Sequence, residues 1–99
     1  MFDNIHEECG VFGIRTPERR NVAASAYYAL FALQHRGQES CGIAVNNNGL
    51  IKCYSDVGLV PDVFNEQLLK ELGEGTMALG HTRYSGWQFA RSEVPLYLV

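Results

Sequence analysis

Two apolar runs, Cys41 to Val45 and Leu50 to Tyr54, flank the segment Asn46-Asn47-Asn48-Gly49. Asparagine and glycine tolerate the positive backbone angles of a tight reversal, and an Asn-Gly step between apolar runs is the strongest short-range hairpin signal. The segment therefore predicts an antiparallel β-hairpin. Upstream, Val11 to Ile14 carries large side chains of both parities (Val11, Phe12, Ile14), which predicts a strand covered on both faces and begun by Cys9-Gly10. Asn21 is placed to cap a helix from Val22 to about Gln34. Its apolar residues Ala26, Tyr27, Leu30, Phe31 and Leu33 recur at three- and four-residue spacing, and Gly37 is placed to stop it. Ala23, Ala24, Ala26 and Ala29 allow that helix to pack closely.

Pro61, with its φ fixed and no N–H to donate, suits the first turn of a second helix running through Leu68, Leu69 and Leu72 to Gly73 and Gly75. Thr76 to Tyr84 reads as a strand. The last run, Val94 to Val99, is Val-Pro-Leu-Tyr-Leu-Val with no polar tail, so the chain is expected to stop mid-strand with more sequence belonging beyond it.

With 99 residues the ceiling is one domain, and a chain this short hides only about two thirds of the surface that its unfolded form exposes. Eight basic against eleven acidic residues give a net charge of −3, and no basic cluster exceeds Arg19-Arg20, which speaks against nucleic acid or an anionic membrane as partner. The longest nearly apolar stretch, Val22 to Leu33, is far shorter than the roughly 20 residues that a membrane-spanning helix needs. Residues 1 to 8 carry Asp3, Glu7 and Glu8 without a Lys or Arg, the wrong pattern for a secretory or transit signal, so the expectation is a cytoplasmic protein. Cys9, Cys41 and Cys53 are an odd set without a Cys-x-x-Cys pair, which predicts reduced thiols and no metal site.

Cys9 has two readings from the residues alone. A thiol opening a buried strand and followed at once by Gly10 can point from a sheet edge toward a substrate; equally, free cysteine is among the most buried residue types and can be core. Cys41 and Cys53 read as inert packing. Tyr27, Tyr28 and Phe31, at helical spacing, read as core rather than a ligand box.

Four ordered runs bear on the choice for Cys9: Glu7 to Ile14 (EECGVFGI), Tyr27 to Val45 (YYALFALQHRGQESCGIAV), Gly58 to Phe64 (GLVPDVF) and Gly80 to Ser85 (GHTRYS). Together they resemble the class II glutamine amidotransferases, and the string Leu33 to Ser40 resembles the purine-pathway branch rather than the glucosamine-phosphate or asparagine synthases. The resemblance implies an α+β fold of the N-terminal-nucleophile hydrolase type, an αββα arrangement of antiparallel sheets between helix layers, here incomplete. It implies that residues 1–8 are a propeptide-like segment and that 9–99 form the N-terminal part of the amidotransferase domain. Cleavage after Glu8 would give Cys9 a free α-amine, with an ordinary pKa of about 7.7 to 8.0, as its own base. Cys9 would then be the nucleophile that releases ammonia from glutamine, for making 5-phosphoribosylamine in the first step of purine synthesis. Were the bond intact, His6, His35 and His81 would be the conceivable bases, although each reads as a packed or solvated histidine.

By the same resemblance Arg83 holds the glutamine α-carboxylate through a forked contact, where the plain reading is a surface ion pair. Gly37 lies in the turn beside the glutamine pocket, where the plain reading is only a helix stop. The chain departs from the family pattern after Ser85, with Gly86-Trp87-Gln88-Phe89 and Val94-Pro95 in place of the usual loop. The family's oxyanion donors, its Asp for the substrate amine and its phosphoribosyltransferase region would all fall beyond Val99, as would any Mg or iron-sulfur cofactor. Expected partners are glutamine, those downstream regions and further copies in a homo-oligomer. Two functional readings stand: the nucleophile-bearing piece of such an enzyme, inactive by itself, or an inactive remnant that binds glutamine or the rest of a split enzyme.

Overall fold

The computed structural model describes residues 9–33 and 38–84. Among them the order is β1 (Cys9–Arg20), α1 (Val22–Leu33), β2 (Gln38–Asn47), β3 (Leu50–Val57), α2 (Val60–Val63), α3 (Glu66–Leu72) and β4 (Gly75–Tyr84). The strands make one antiparallel sheet in the order β1-β4-β2-β3, so the strand formed last in sequence inserts between the first strand and the hairpin. The expected strand at Val94 to Val99 lies outside the described residues.

The hairpin turn is tighter than the four-residue segment expected. Asn48 (φ 59°) and Gly49 (φ 92°) take both positive-φ positions, and Asn46 Oδ1 accepts a hydrogen bond from the Gly49 N–H at 2.9 Å. Strand β1 is longer than Val11 to Ile14 because it continues past Pro17 to Arg20. The proline is tolerated since β1 is an outer strand of the sheet and its register slips between Arg15 and Arg20. The expectation that β1 is covered on both faces is corrected: Phe12 and Ile14 pack against the helix-side core, whereas Val11 lines an open concavity on the other face.

All three helices lie against the sheet face that carries Cys41, Ile43, Val45 and Ala78. Helix α1 starts where expected, with Asn21 Oδ1 accepting from the Ala24 N–H at 3.2 Å. Its buried stripe is Val22, Ala23, Ala26 and Leu30. The two alanines remove bulk, and a Cβ placed on Gly80 would lie 3.0 Å from Leu30 Cδ1, so helix and strand approach through a missing side chain. Each large apolar side chain fully buried in this layer contributes about 1.5–3 kcal/mol. The aromatic residues of α1 are a correction. Tyr27 packs partly against the core, but Tyr28 and Phe31 are 68% and 50% exposed, because the 3.6-residue period turns them away from the buried stripe.

The single helix expected from Pro61 to Leu72 is two. Phe64 leaves the helical conformation (φ −110°, ψ 134°) and is buried in the core, and Asn65 starts α3 afresh with its side chain accepting from the Leu68 N–H at 2.8 Å. A capping asparagine and an anchoring phenylalanine together outweigh the modest helical propensity of the four-residue α2. Gly73, at φ 80°, ends α3 as expected.

Candidate active site

The sheet register sets the site. In successive rows across the strands, Cys9 lies opposite Arg83, and Arg83 opposite Ser40; in the next row Gly10 faces Thr82 and Thr82 faces Cys41; then Val11 faces His81 and His81 faces Gly42. Residues directly opposed on antiparallel strands have α-carbons about 4.5–5.5 Å apart. Cys9 and Arg83, 74 positions apart in sequence, are thus brought to one end of the sheet. Arg83 is exposed and, among the described residues, forms no ion pair. Gly37, His6, His35 and residues 1–8 lie outside the described residues.

Two small residues carry the geometry beneath this row. A Cβ on Gly10 would lie 3.0 Å from Thr82 Oγ1 and 3.6 Å from Leu33 Cδ1. The glycine after Cys9 thus leaves room for the close passage of the Thr82 side chain of β4 beside the end of α1, a reason that reading along the sequence does not reveal. Thr82 itself is 1% exposed, and its hydroxyl has no hydrogen-bond partner among the described residues. Leaving a hydroxyl so buried costs about 1–3 kcal/mol, and sequence reasoning passed over it; its only signal was its place inside the Gly80 to Ser85 run.

His81 lies on the opposite face. A Cβ on Gly42 would come within 2.8 Å of its Cε1 and 2.7 Å of Ser55 Cβ, so the imidazole lies against the bare β2 backbone. Burial first, and the neighbouring positive charge of Arg83 second, hold its pKa below the usual 6.5. A neutral imidazole there adds no second positive charge beside Arg83. The same face holds a concavity of about 370 Å³ lined by Val11, Ala44, Leu79, His81 and Cys53 among others.

The other thiols divide. Cys41 is fully buried, with Sγ 3.8 Å from the Gly58 carbonyl oxygen; burial, then the negative charge of Asp56, pushes its pKa up to about 11. It stays a thiol at neutral pH and packs, as expected. Cys53 is a correction: it is exposed, because β3 is an outer strand whose residues are all exposed. Among the described residues no three His, Cys, Asp or Glu side chains gather as a metal site, and no helix is long and apolar enough to cross a membrane.

An antiparallel sheet backed by helices on one face, with a cysteine opening its first strand, has the α+β architecture of the N-terminal-nucleophile hydrolases. No family model matches the chain, but individual proteins do. The amidophosphoribosyltransferase of Synechocystis is 54% identical over 83 residues, which are 84% of this chain and 16% of that protein. That of Methanocaldococcus jannaschii is 53% identical over 77 residues, 78% of this chain and 16% of the relative. That of Mycobacterium tuberculosis is 52% identical over 79 residues, 80% and 15% respectively. A solved structure described as the allosteric regulatory enzyme of purine biosynthesis superposes with a TM-score of 0.61 at 32% identity, covering 78% of this chain and 15% of that one. The chain is a homologue of the amidophosphoribosyltransferases and spans about 16% of the length of the curated relatives it matches.

Proposed function

We propose that this chain is the nucleophile-bearing segment of a glutamine-hydrolysing unit, serving amidophosphoribosyl transfer in purine synthesis together with sequence that it does not contain. The observation that carries the reading is the register of Cys9 against Arg83 at one end of the sheet. The Cys9 thiolate attacks the side-chain carboxamide carbon of glutamine, the C–N bond breaks, and ammonia leaves with a proton. Water then cleaves the γ-glutamyl thioester to give glutamate and return the thiol. With residues 1–8 removed as a propeptide, the freed α-amine of Cys9 takes the thiol proton and passes it to the departing nitrogen.

Arg83 offers an exposed, permanently charged fork for the substrate α-carboxylate, and Gly37 lets backbone approach the same substrate. The raised pKa and burial of Cys41 favour Cys9 as the reactive thiol. The oxyanion donors, any Mg or iron-sulfur group, and the acceptor site for ammonia belong in this reading to the remainder of the family's length. Self-association into a homo-oligomer and a cytoplasmic location complete it.

Treatment with an electrophilic glutamine analogue tests the reading. Covalent label on Cys9 alone, in protein whose N-terminal mass shows cleavage after Glu8, is the expected result. Joined to the downstream sequence of a relative, Cys9→Ala should abolish glutamine-dependent activity and spare ammonia-dependent activity. Glutamine hydrolysis that survives Cys9→Ala would overturn the assignment, and a chain that binds glutamine without being labelled would be the inactive remnant.

A further inference from the structure

Among the described residues β3 is the outer strand on the hairpin side of the sheet, and all eight of its residues are exposed. Leu50, Ile51 and Val57 are 61%, 63% and 72% exposed, an unusual load of apolar surface for an edge. The two-residue Asn48-Gly49 turn makes Asn47 and Leu50 the closing hydrogen-bonded pair. Strand hydrogen bonding alternates, so the even residues of β3 direct their N–H and C=O groups to β2. The far end agrees: the Gly58 N–H donates to the Glu39 carbonyl oxygen at 2.6 Å, while the Val57 N–H turns away from β2 and is held by Asp56 Oδ1 at 2.7 Å. Ile51, Cys53, Ser55 and Val57 therefore present a row of backbone donors and acceptors outward.

We propose that β3 pairs antiparallel with β3 of a second copy of this chain, in the register centred on Tyr54. The proposal deepens the homo-oligomer part of the reading above by naming its surface. Outward residues must pair with outward residues, so a two-fold pairing can shift only in steps of two. Centred on Tyr54, it sets Lys52 opposite the second copy's Asp56 and Asp56 opposite the second copy's Lys52. These are the only charged residues of the strand. A shift of two either way sets Lys52 opposite Tyr54 or Gly58 and loses both ion pairs. Lys52 and Asp56 then occupy non-hydrogen-bonded positions, where opposed side chains are closest, and on the other face Ile51 meets Val57. Both charged groups are held only by exposed contacts: Lys52 Nζ lies 3.5 Å from the Glu71 carbonyl oxygen, and the Asp56 carboxylate accepts from the exposed Tyr54 hydroxyl at 3.2 Å and from the Val57 N–H, which it gives up to the second copy's Ile51 carbonyl.

Sedimentation of the full chain with its two single charge variants tests this. The native chain should form a species of twice its 11.1 kDa mass. Lys52→Glu alone and Asp56→Lys alone each set like charges opposite one another and should weaken association at least about tenfold. An equimolar mixture of the two variants restores opposite charges at every facing position and should recover the dimer as a heterodimer. Circular dichroism that matches the native chain shows that each variant is folded, both positions being exposed. A native chain that stays monomeric, or a mixture that stays monomeric, overturns the proposal. Association that survives both single substitutions overturns the β3 surface while leaving self-association by another surface standing.

Discussion

The two faces of β4 teach different lessons. On one, Ala78, Gly80 and Thr82 lie beneath α1 and are buried almost completely. On the other, Leu79 and His81 line an open concavity, with Arg83 exposed beyond them. One strand therefore supplies the packing that fixes its position with alternate residues and the candidate chemistry with the rest. Because successive side chains point to opposite faces, the chemical row can change without disturbing the packed row.

The largest effect that can test this division is the removal of bulk from each face. Leu30→Ala, at a fully buried position against Gly80, should cost about 2–5 kcal/mol of unfolding free energy in urea titration. Leu79→Ala, on the concave face, should cost about 1 kcal/mol or less. Equal losses would mean that the concave face is packed against something as firmly as the helical face.

Arg83→Lys keeps the charge and removes the fork. In the active, completed enzyme it should raise the glutamine KM by on the order of tenfold, equivalent to about 1.4 kcal/mol, with a smaller change in kcat. A fall in kcat alone would place Arg83 in the bond-breaking step rather than in binding.

His81 sharpens the comparison through pH. Its folded pKa lies below the unfolded value, so between the two the unfolded chain holds the extra proton, and stability is lost as pH falls below about 6.5. His81→Asn should flatten that acid limb of the stability-against-pH curve. An unchanged slope would assign the proton uptake to other groups. The smallest effect concerns the two spare thiols: Cys41→Ala should cost about 1–2 kcal/mol, and Cys53→Ala should stay within about 0.5 kcal/mol, both read by thermal unfolding.

Much of this was legible along the chain. The Asn-Gly turn, the Asn21 cap, the start of α1 at Val22 and the strand at Thr76 to Tyr84 are local signals with local causes, and each is seen in the structure. The motif runs from Glu7 to Ser85 were also enough to indicate the family that the sequence comparisons show. Where the sequence reading failed, a nonlocal contact had decided the matter. Phe64 broke the expected helix because a buried slot held it; Tyr28 and Phe31 stayed outside because only one stripe of α1 meets the sheet; and Cys53 was exposed because nothing among the described residues pairs with the outer edge of β3.

The candidate site divides in the same way. Residue types left Cys9 with two readings, and the motif runs turned the choice to the nucleophile and added Arg83, since a lone thiol and a forked cation carry their chemistry in their side chains. That the two stand in one row, that Gly10 leaves room for the Thr82 side chain, and that Gly42 clears the ring of His81 are properties of strand register and of the approach of α1. Strand order is set by which apolar faces can be covered together, an energy summed over the whole sheet. No window of sequence contains that sum, so the amino-acid sequence by itself determined the parts and their chemistry, and the tertiary structure decided which of them meet.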